Sequence, residues 1–183
     1  IPAAIPKQDW IRRLVNESII ESIGFDLIAM GRTEGPGCYC AVNNILREVL
    51  DGIHKNYKAC VIDNEAGLEH LSRQTDGTVD VMLIVATPSL SGARTAARIK
   101  ELIEQVGVKP AKTYLVLSQV SQEISPNVMR ELNKIELPII ARVPSDPLVN
   151  EFEVNGKSLT EIPANSPAAT AIDDLVAKLI EKR

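Results

Sequence analysis

Aromatic side chains are scarce in this sequence: two Phe, three Tyr and one Trp make up 3% of its 183 residues. A core must therefore be built from Val, Ile, Leu and Ala, the composition of parallel sheets covered by helices. Positive charge is not in excess either. Lys and Arg number 20 against 24 Asp and Glu, a net charge of -4 with a pI near 5.3. No overall basic field exists to hold a polyanion, which disfavours nucleic-acid binding. The three cysteines, Cys38, Cys40 and Cys60, are too few and odd in number for a secreted disulfide scaffold, so a reducing, cytoplasmic setting is expected. No apolar run approaches the ~20 residues that cross a bilayer, and the start lacks a charged-then-apolar leader pattern. Stable membrane association is not expected. What is present in quantity is core material: 45% hydrophobic against 24% charged residues, which excludes a disordered tail and supports one globular domain over 1–183.

Periodicity organises the chain into alternating elements. Trp10, Ile11, Leu14, Val15, Ile19 and Ile23 recur at helical spacing before Gly24, so the pattern predicts a helix over 8–23. A short apolar run at 25–30 reads as a strand and leads into the loop Gly31-Arg32-Thr33-Glu34-Gly35-Pro36-Gly37-Cys38-Tyr39-Cys40. Val42, Ile45, Leu46, Val49, Leu50 and Ile53 then form one apolar stripe of a helix. Runs at 59–62, 79–86, 114–117 and 139–143 have strand length, with Cys60 expected in the core. Helical patterns follow at Ala93, Ala96, Ile99, Ile103 and Val106, closed by Gly107, and at 126–135 and 168–180. Strand–helix alternation implies an α/β fold with a mostly parallel, twisted sheet between two layers of helices.

Ligands of such sheets bind beyond the carboxyl ends of the strands. The residues at those ends are Gly31 and Arg32, Asp63 and Asn64, Thr87 and Pro88, Ser118 and Gln119, and 144–146. Asp63 closes an apolar run and precedes Asn64-Glu65-Ala66-Gly67. A carboxylate there suits the water shell of Mg²⁺ beside a nucleotide phosphate, and the following Gly lets a backbone N–H approach that phosphate; the same pattern also serves an Asp that merely caps a helix. The phosphate loop G-x-x-x-x-G-K-[ST] is not in the chain. Gly156-Lys157-Ser158 fails because Glu151 occupies the upstream glycine position and Asn155-Gly156 is a turn signal. Cys38 and Cys40 offer two soft ligands at a helix start, where the dipole favours thiolates. They are half of a tetrahedral site, which a second copy across a two-fold axis would complete; two packed loop cysteines are the alternative. His54 and His70 read as helix residues, and the acidic positions Asp173 and Asp174 favour packing of the last helix on the sheet over membrane docking.

Together, the block 30–40 with Val42-Asn43-Asn44 and the block Val61-Ile62-Asp63-Asn64-Glu65-Ala66-Gly67-Leu68-Glu69-His70-Leu71-Ser72-Arg73 resemble the CooC-type accessory ATPases. These carbon monoxide dehydrogenase maturation proteins belong to the class of the nitrogenase iron protein, MinD and ParA. The resemblance implies a P-loop NTPase-like fold and ATP-linked homodimerisation that helps insert nickel into the dehydrogenase as client. It implies that Asp63 is the Mg²⁺-associated carboxylate, that Gly67 belongs to the phosphate-sensing switch, and that Cys38 and Cys40 bind Ni²⁺ or Zn²⁺ between protomers. Ser118 and Gln119 stand where relatives place Asn-Arg, whose Asn contacts adenine, and Arg142-Val143-Pro144-Ser145-Asp146-Pro147 resembles the other base-side loop, which assigns Pro144 and Asp146 to the cofactor. The family's first strand and phosphate loop lie upstream of Ile1, so the chain reads as the C-terminal portion of such an ATPase, active when intact and inactive by itself. Two alternatives stand beside this reading: a non-catalytic nickel- or zinc-binding dimerisation module, and a MinD-like positioning ATPase.

Overall fold

The apolar runs in the second half of the chain become strands because each finds a parallel neighbour. A computed structural model describes residues 6–29, 52, 56–64, 79–105, 107–121 and 123–180. It divides into two compact units, Ile1–Gly77 and Thr78–Arg183. In the second unit, β3 (Val81–Ala86), β4 (Lys112–Val120) and β5 (Ile139–Pro144) form a parallel sheet in that order. The helix α2 (Leu90–Gln105) connects β3 to β4, and α3 (Pro126–Asn133) connects β4 to β5. After β5 come α4 (Pro147–Val154), a 3-10 turn at Leu159–Glu161 and α5 (Pro167–Ile180).

The pleat alternation sorts the core. Ile84, Ala86, Leu115 and Leu117 are buried on one face. On the other, Val116 and Ala141 pack with Leu175 of α5, joined by Leu83, Val143 and Leu179. Small residues let α2 lie close, with Ala93, Ala96 and Ile103 buried along its stripe, and Lys100 Nζ donates to the Ile135 carbonyl at 2.7 Å beyond the end of α3. Gly107, at φ +75°, ends α2 in the left-handed conformation that glycine adopts without strain. Three of the helices and turns that follow the strands share a start. Ser125-Pro126, Asp146-Pro147 and Ser166-Pro167 each place a capping oxygen before a proline at the first helical position, where no amide is lost.

In the first unit, α1 (Lys7–Glu17) is followed by β1 (Ile19–Glu21) and β2 (Asp26–Ile28), an antiparallel hairpin. The expected helix over 8–23 therefore stops early. The Ser18 hydroxyl donates to the Val15 carbonyl at 2.7 Å, competing with the helical ladder, and Gly24 at φ +89° closes a hairpin turn instead of a helix. The Tyr57 hydroxyl donates to the Asp26 carboxylate, which ties 56–58 to β2 and raises the tyrosine's pKa. Residues 59–64 form no strand, in contrast to the apolar run expected at 59–62, because none of the described strands pairs with them. Cys60 is accordingly exposed and not a core residue. The glycine-rich loop at 31–40 with Cys38 and Cys40, the stripe at 42–53, His54, Gly67 and His70 lie outside the described residues.

Candidate functional site

The carboxyl edge of the β3–β4–β5 sheet is built from three differently made ends. At the first, Ser89 stands before α2 and its Oγ accepts from the Gly92 amide at 2.9 Å, while the Ala93 amide donates to the Ser89 carbonyl. The Thr87 carbonyl lies so close to this first helical turn that a Cβ at Gly92 would meet it at 2.2 Å, with Thr87 Oγ1 at 2.8 Å. Only a residue without a side chain fits there.

At the second end, β4 carries an extra residue. Leu117 pairs with Arg142 but Val120 pairs with Pro144, so the stretch Ser118-Gln119 opposes Val143 alone. Gln119 absorbs the difference at φ 57°, a left-handed conformation that costs a non-glycine residue about 1–3 kcal/mol and persists only where neighbours impose it. The neighbour is the third end: the Ser145 amide donates to the Val120 carbonyl at 3.0 Å, continuing the pairing past β5. Bulges of this kind re-aim side chains beside functional sites. Ser118 and Pro144 are half-buried and Gln119 is exposed.

Asp146 follows directly and is buried at 7% exposure. Its Oδ1 accepts from the Leu148 amide at 3.0 Å and its Oδ2 from the Ala168 amide at 3.2 Å. The Ala168 amide most strongly, then Leu148 and Ser166, hold the carboxyl below its ordinary pKa against the opposing effect of burial.

The structure thus brings Ser118, Gln119, Pro144 and Asp146 together on adjacent strand ends. Asp63 is exposed and belongs to the first compact unit; Gly67, Cys38 and Cys40 are not among the described residues. Sequence reasoning stopped at Thr87 and Pro88 and missed the Ser89–Gly92 turn, whose signal is a Ser three residues before a Gly at a helix start. It also missed α4, for which Asp146-Pro147 is a start signal. Among the described residues no three His, Cys, Asp or Glu side chains group to hold a metal, and no helix is long and apolar enough to cross a membrane.

No family model matches the chain. Its fold, with a parallel sheet flanked by helices, is similar to that of solved MinD and ParA family ATPases. The MinD cell division ATPase of Pyrococcus furiosus aligns at a TM-score of 0.65 and 19% identity, over 98% of this chain and 77% of that one. A ParA family ATPase from Chlorobium tepidum aligns at 0.64 and 19%, over 94% and 73%. Sequence defines the group more narrowly. All 183 residues align at 38% identity with 72% of MJ0685, an uncharacterized ATP-binding protein of Methanocaldococcus jannaschii, and the chain belongs to that family of ATP-binding proteins. A second such protein of the same organism, MJ0823, is 33% identical over 91% of this chain and 63% of its own length. The carbon monoxide dehydrogenase accessory protein CooC of Rhodospirillum rubrum is 38% identical over 93 residues, 49% of this chain and 35% of that protein.

Proposed function

We propose that this chain is the base-binding and metal-holding part of a single ATPase domain that works as a homodimer to deliver nickel to a carbon monoxide dehydrogenase. The observation that carries the nucleotide half is the bulged end of β4 against the turn after β5. It brings Ser118, Gln119 and Pro144 to neighbouring register positions at the sheet edge where open α/β folds take ligands. An adenine base has a polar edge and an apolar face, and this donor set fits both: Ser118 and Gln119 would hold the edge and Pro144 the ring. Asp63 takes the carboxylate role beside Mg²⁺, and Gly67 the backbone contact that senses the phosphate. When bound, Mg²⁺–ATP supplies the phosphoryl group whose loss switches the dimer. These 183 residues contain no complete G-x-x-x-x-G-K-[ST] phosphate loop, so turnover belongs to a protein that carries one, and this chain alone is expected not to hydrolyse ATP.

The client is inferred from the partial similarity to CooC and from the Cys38-Tyr39-Cys40 pair. One pair offers two thiolates, whereas a closed tetrahedral site takes four, so two copies sharing one ion satisfy the metal. The test uses the natural full-length protein. Titration with fluorescent adenine and guanine nucleotides should show adenine preference, and elemental analysis with size-exclusion chromatography should show one nickel or zinc per dimer. Absence of nucleotide binding overturns the first half. One ion per monomer, or metal-driven dimers that survive Cys38→Ser, overturns the second.

A further inference from the structure

Of the four residues assigned to the base, Asp146 is the one whose carboxylate is already engaged. Both helices that flank it begin with proline, at Pro147 and Pro167, so the first amide each can offer lies one residue further, at Leu148 and Ala168. Both of those amides point to the same carboxylate, one on each oxygen, at 3.0 and 3.2 Å. Ser166 completes the arrangement: it helps lower the pKa of the same carboxylate, while its Oγ accepts from the Ala169 amide at 3.1 Å. A single negative charge thus closes two helix N-termini, where the helix dipoles favour it. The residue that carries it immediately follows Ser145, whose amide locks onto the Val120 carbonyl next to the strained Gln119.

We propose that Asp146 is a positioning residue: it touches no nucleotide atom and instead ties the turn after β5 to α5, fixing Pro144 and Ser145 against the bulge of β4. The inference rests on the nucleotide reading above. The anchor is α5 itself, whose Ala168 and Leu175 are buried and which packs on β5. Removing the tie leaves α4 capable of being capped locally but frees the turn from α5. The bulge then loses the neighbour that holds Gln119 in its left-handed conformation.

Two variants of the natural full-length protein test this. Asp146→Ser keeps an oxygen that caps α4 but is too short to reach Ala168, and Ser166→Ala removes the hydroxyl that caps the start of α5 and helps hold the Asp146 carboxylate ionised. Both should weaken adenine nucleotide binding, Asp146→Ser by about tenfold, the equivalent of one lost hydrogen bond to a charged group. Both should also shrink the preference for adenine over guanine, and the double variant should lose less than the two singles combined. In each, amide exchange at Ser145 should accelerate, a readout that needs no nucleotide. Unchanged affinity and selectivity in Asp146→Ser overturns the proposal, as does loss of binding in Asp146→Ser with none in Ser166→Ala, which would mark a direct contact. Failure of the wild-type protein to bind nucleotide while Ser145 exchange still responds to both variants sinks the nucleotide reading and leaves the tie itself standing as structure only.

Discussion

Residues 81–86 and 59–62 are both apolar runs of strand length, and they end in opposite environments. Ile84 of the first is 2% exposed and lies beside Leu115, whereas Val61 of the second is 91% exposed and Ile62 53%. Composition does not separate them. What separates them is pairing: β3 has six residues in register with β4, while no described strand takes up 59–62. An apolar run lowers the cost of entering a sheet, but backbone groups need partners before the run is buried. The second unit supplies those partners from its own sequence, through short crossovers that return each strand beside the last.

The largest test of this contrast is truncation on both sides of it. Leu115→Ala or Leu117→Ala, each at a fully buried position, should cost about 2–5 kcal/mol. Val61→Ala should stay within about 0.5 kcal/mol in the same denaturant titration. A Val61→Ala loss rivalling that of Leu115→Ala would break the comparison. Next in size is Gly92→Ala. The added methyl would press on the Thr87 backbone at 2.2 Å, and overpacking of this kind costs about 1–3 kcal/mol; a neutral effect would mean that the loop before α2 is free to move.

Acidification probes the third sheet end. Because hydrogen bonds depress the Asp146 pKa below its ordinary value of 3.8 in the folded state, the unfolded chain takes up the proton first. Its stabilising contribution is therefore complete above that value and fades as pH falls through the folded-state pKa. Unfolding midpoints followed downward from pH 6 should drop more steeply for wild type than for Asp146→Asn, and parallel curves would refute the assignment. The smallest effect is at Cys60. In a Cys38→Ser, Cys40→Ser background its exposed thiol should react with a maleimide without denaturant, and Cys60→Ser should leave stability within about 0.5 kcal/mol.

Much of the second unit was legible because its signals are local. The expected strands at 79–86 and 139–143 and the helical stripe from Ala93 to Ile103 match β3, β5 and α2 closely, since these apolar runs find a parallel partner a short crossover away and the alanine-rich stripe lets a helix lie close to the sheet. Other features depend on partners that periodicity does not contain. β4 extends to Lys112–Val120 and not only 114–117, because backbone pairing carries polar Lys112, Ser118 and Gln119 along. The bulge at Gln119 leaves no mark in the sequence; it arises from a mismatch in length between two strands. Ile19 continued a helical stripe and joined a hairpin instead, because Ser18 and Gly24 interrupt the helix more strongly than one apolar residue extends it. The loop alone puts Asp146 at the base edge, whereas the α5 amide that engages it, Ala168, comes from 22 residues further along the chain.

The prolines that open α3, α4 and α5 act on a state in which none of these contacts exists. Each ring fixes one backbone angle near its helical value before folding begins, so the denatured ensemble has fewer conformations to give up. Pro126→Ala, Pro147→Ala and Pro167→Ala should each lower stability by about 0.4–1 kcal/mol although no hydrogen bond of the folded protein is removed. The order of the sheet's carboxyl edge is in this sense partly a property of the disordered chain, established ahead of any packing or ligand.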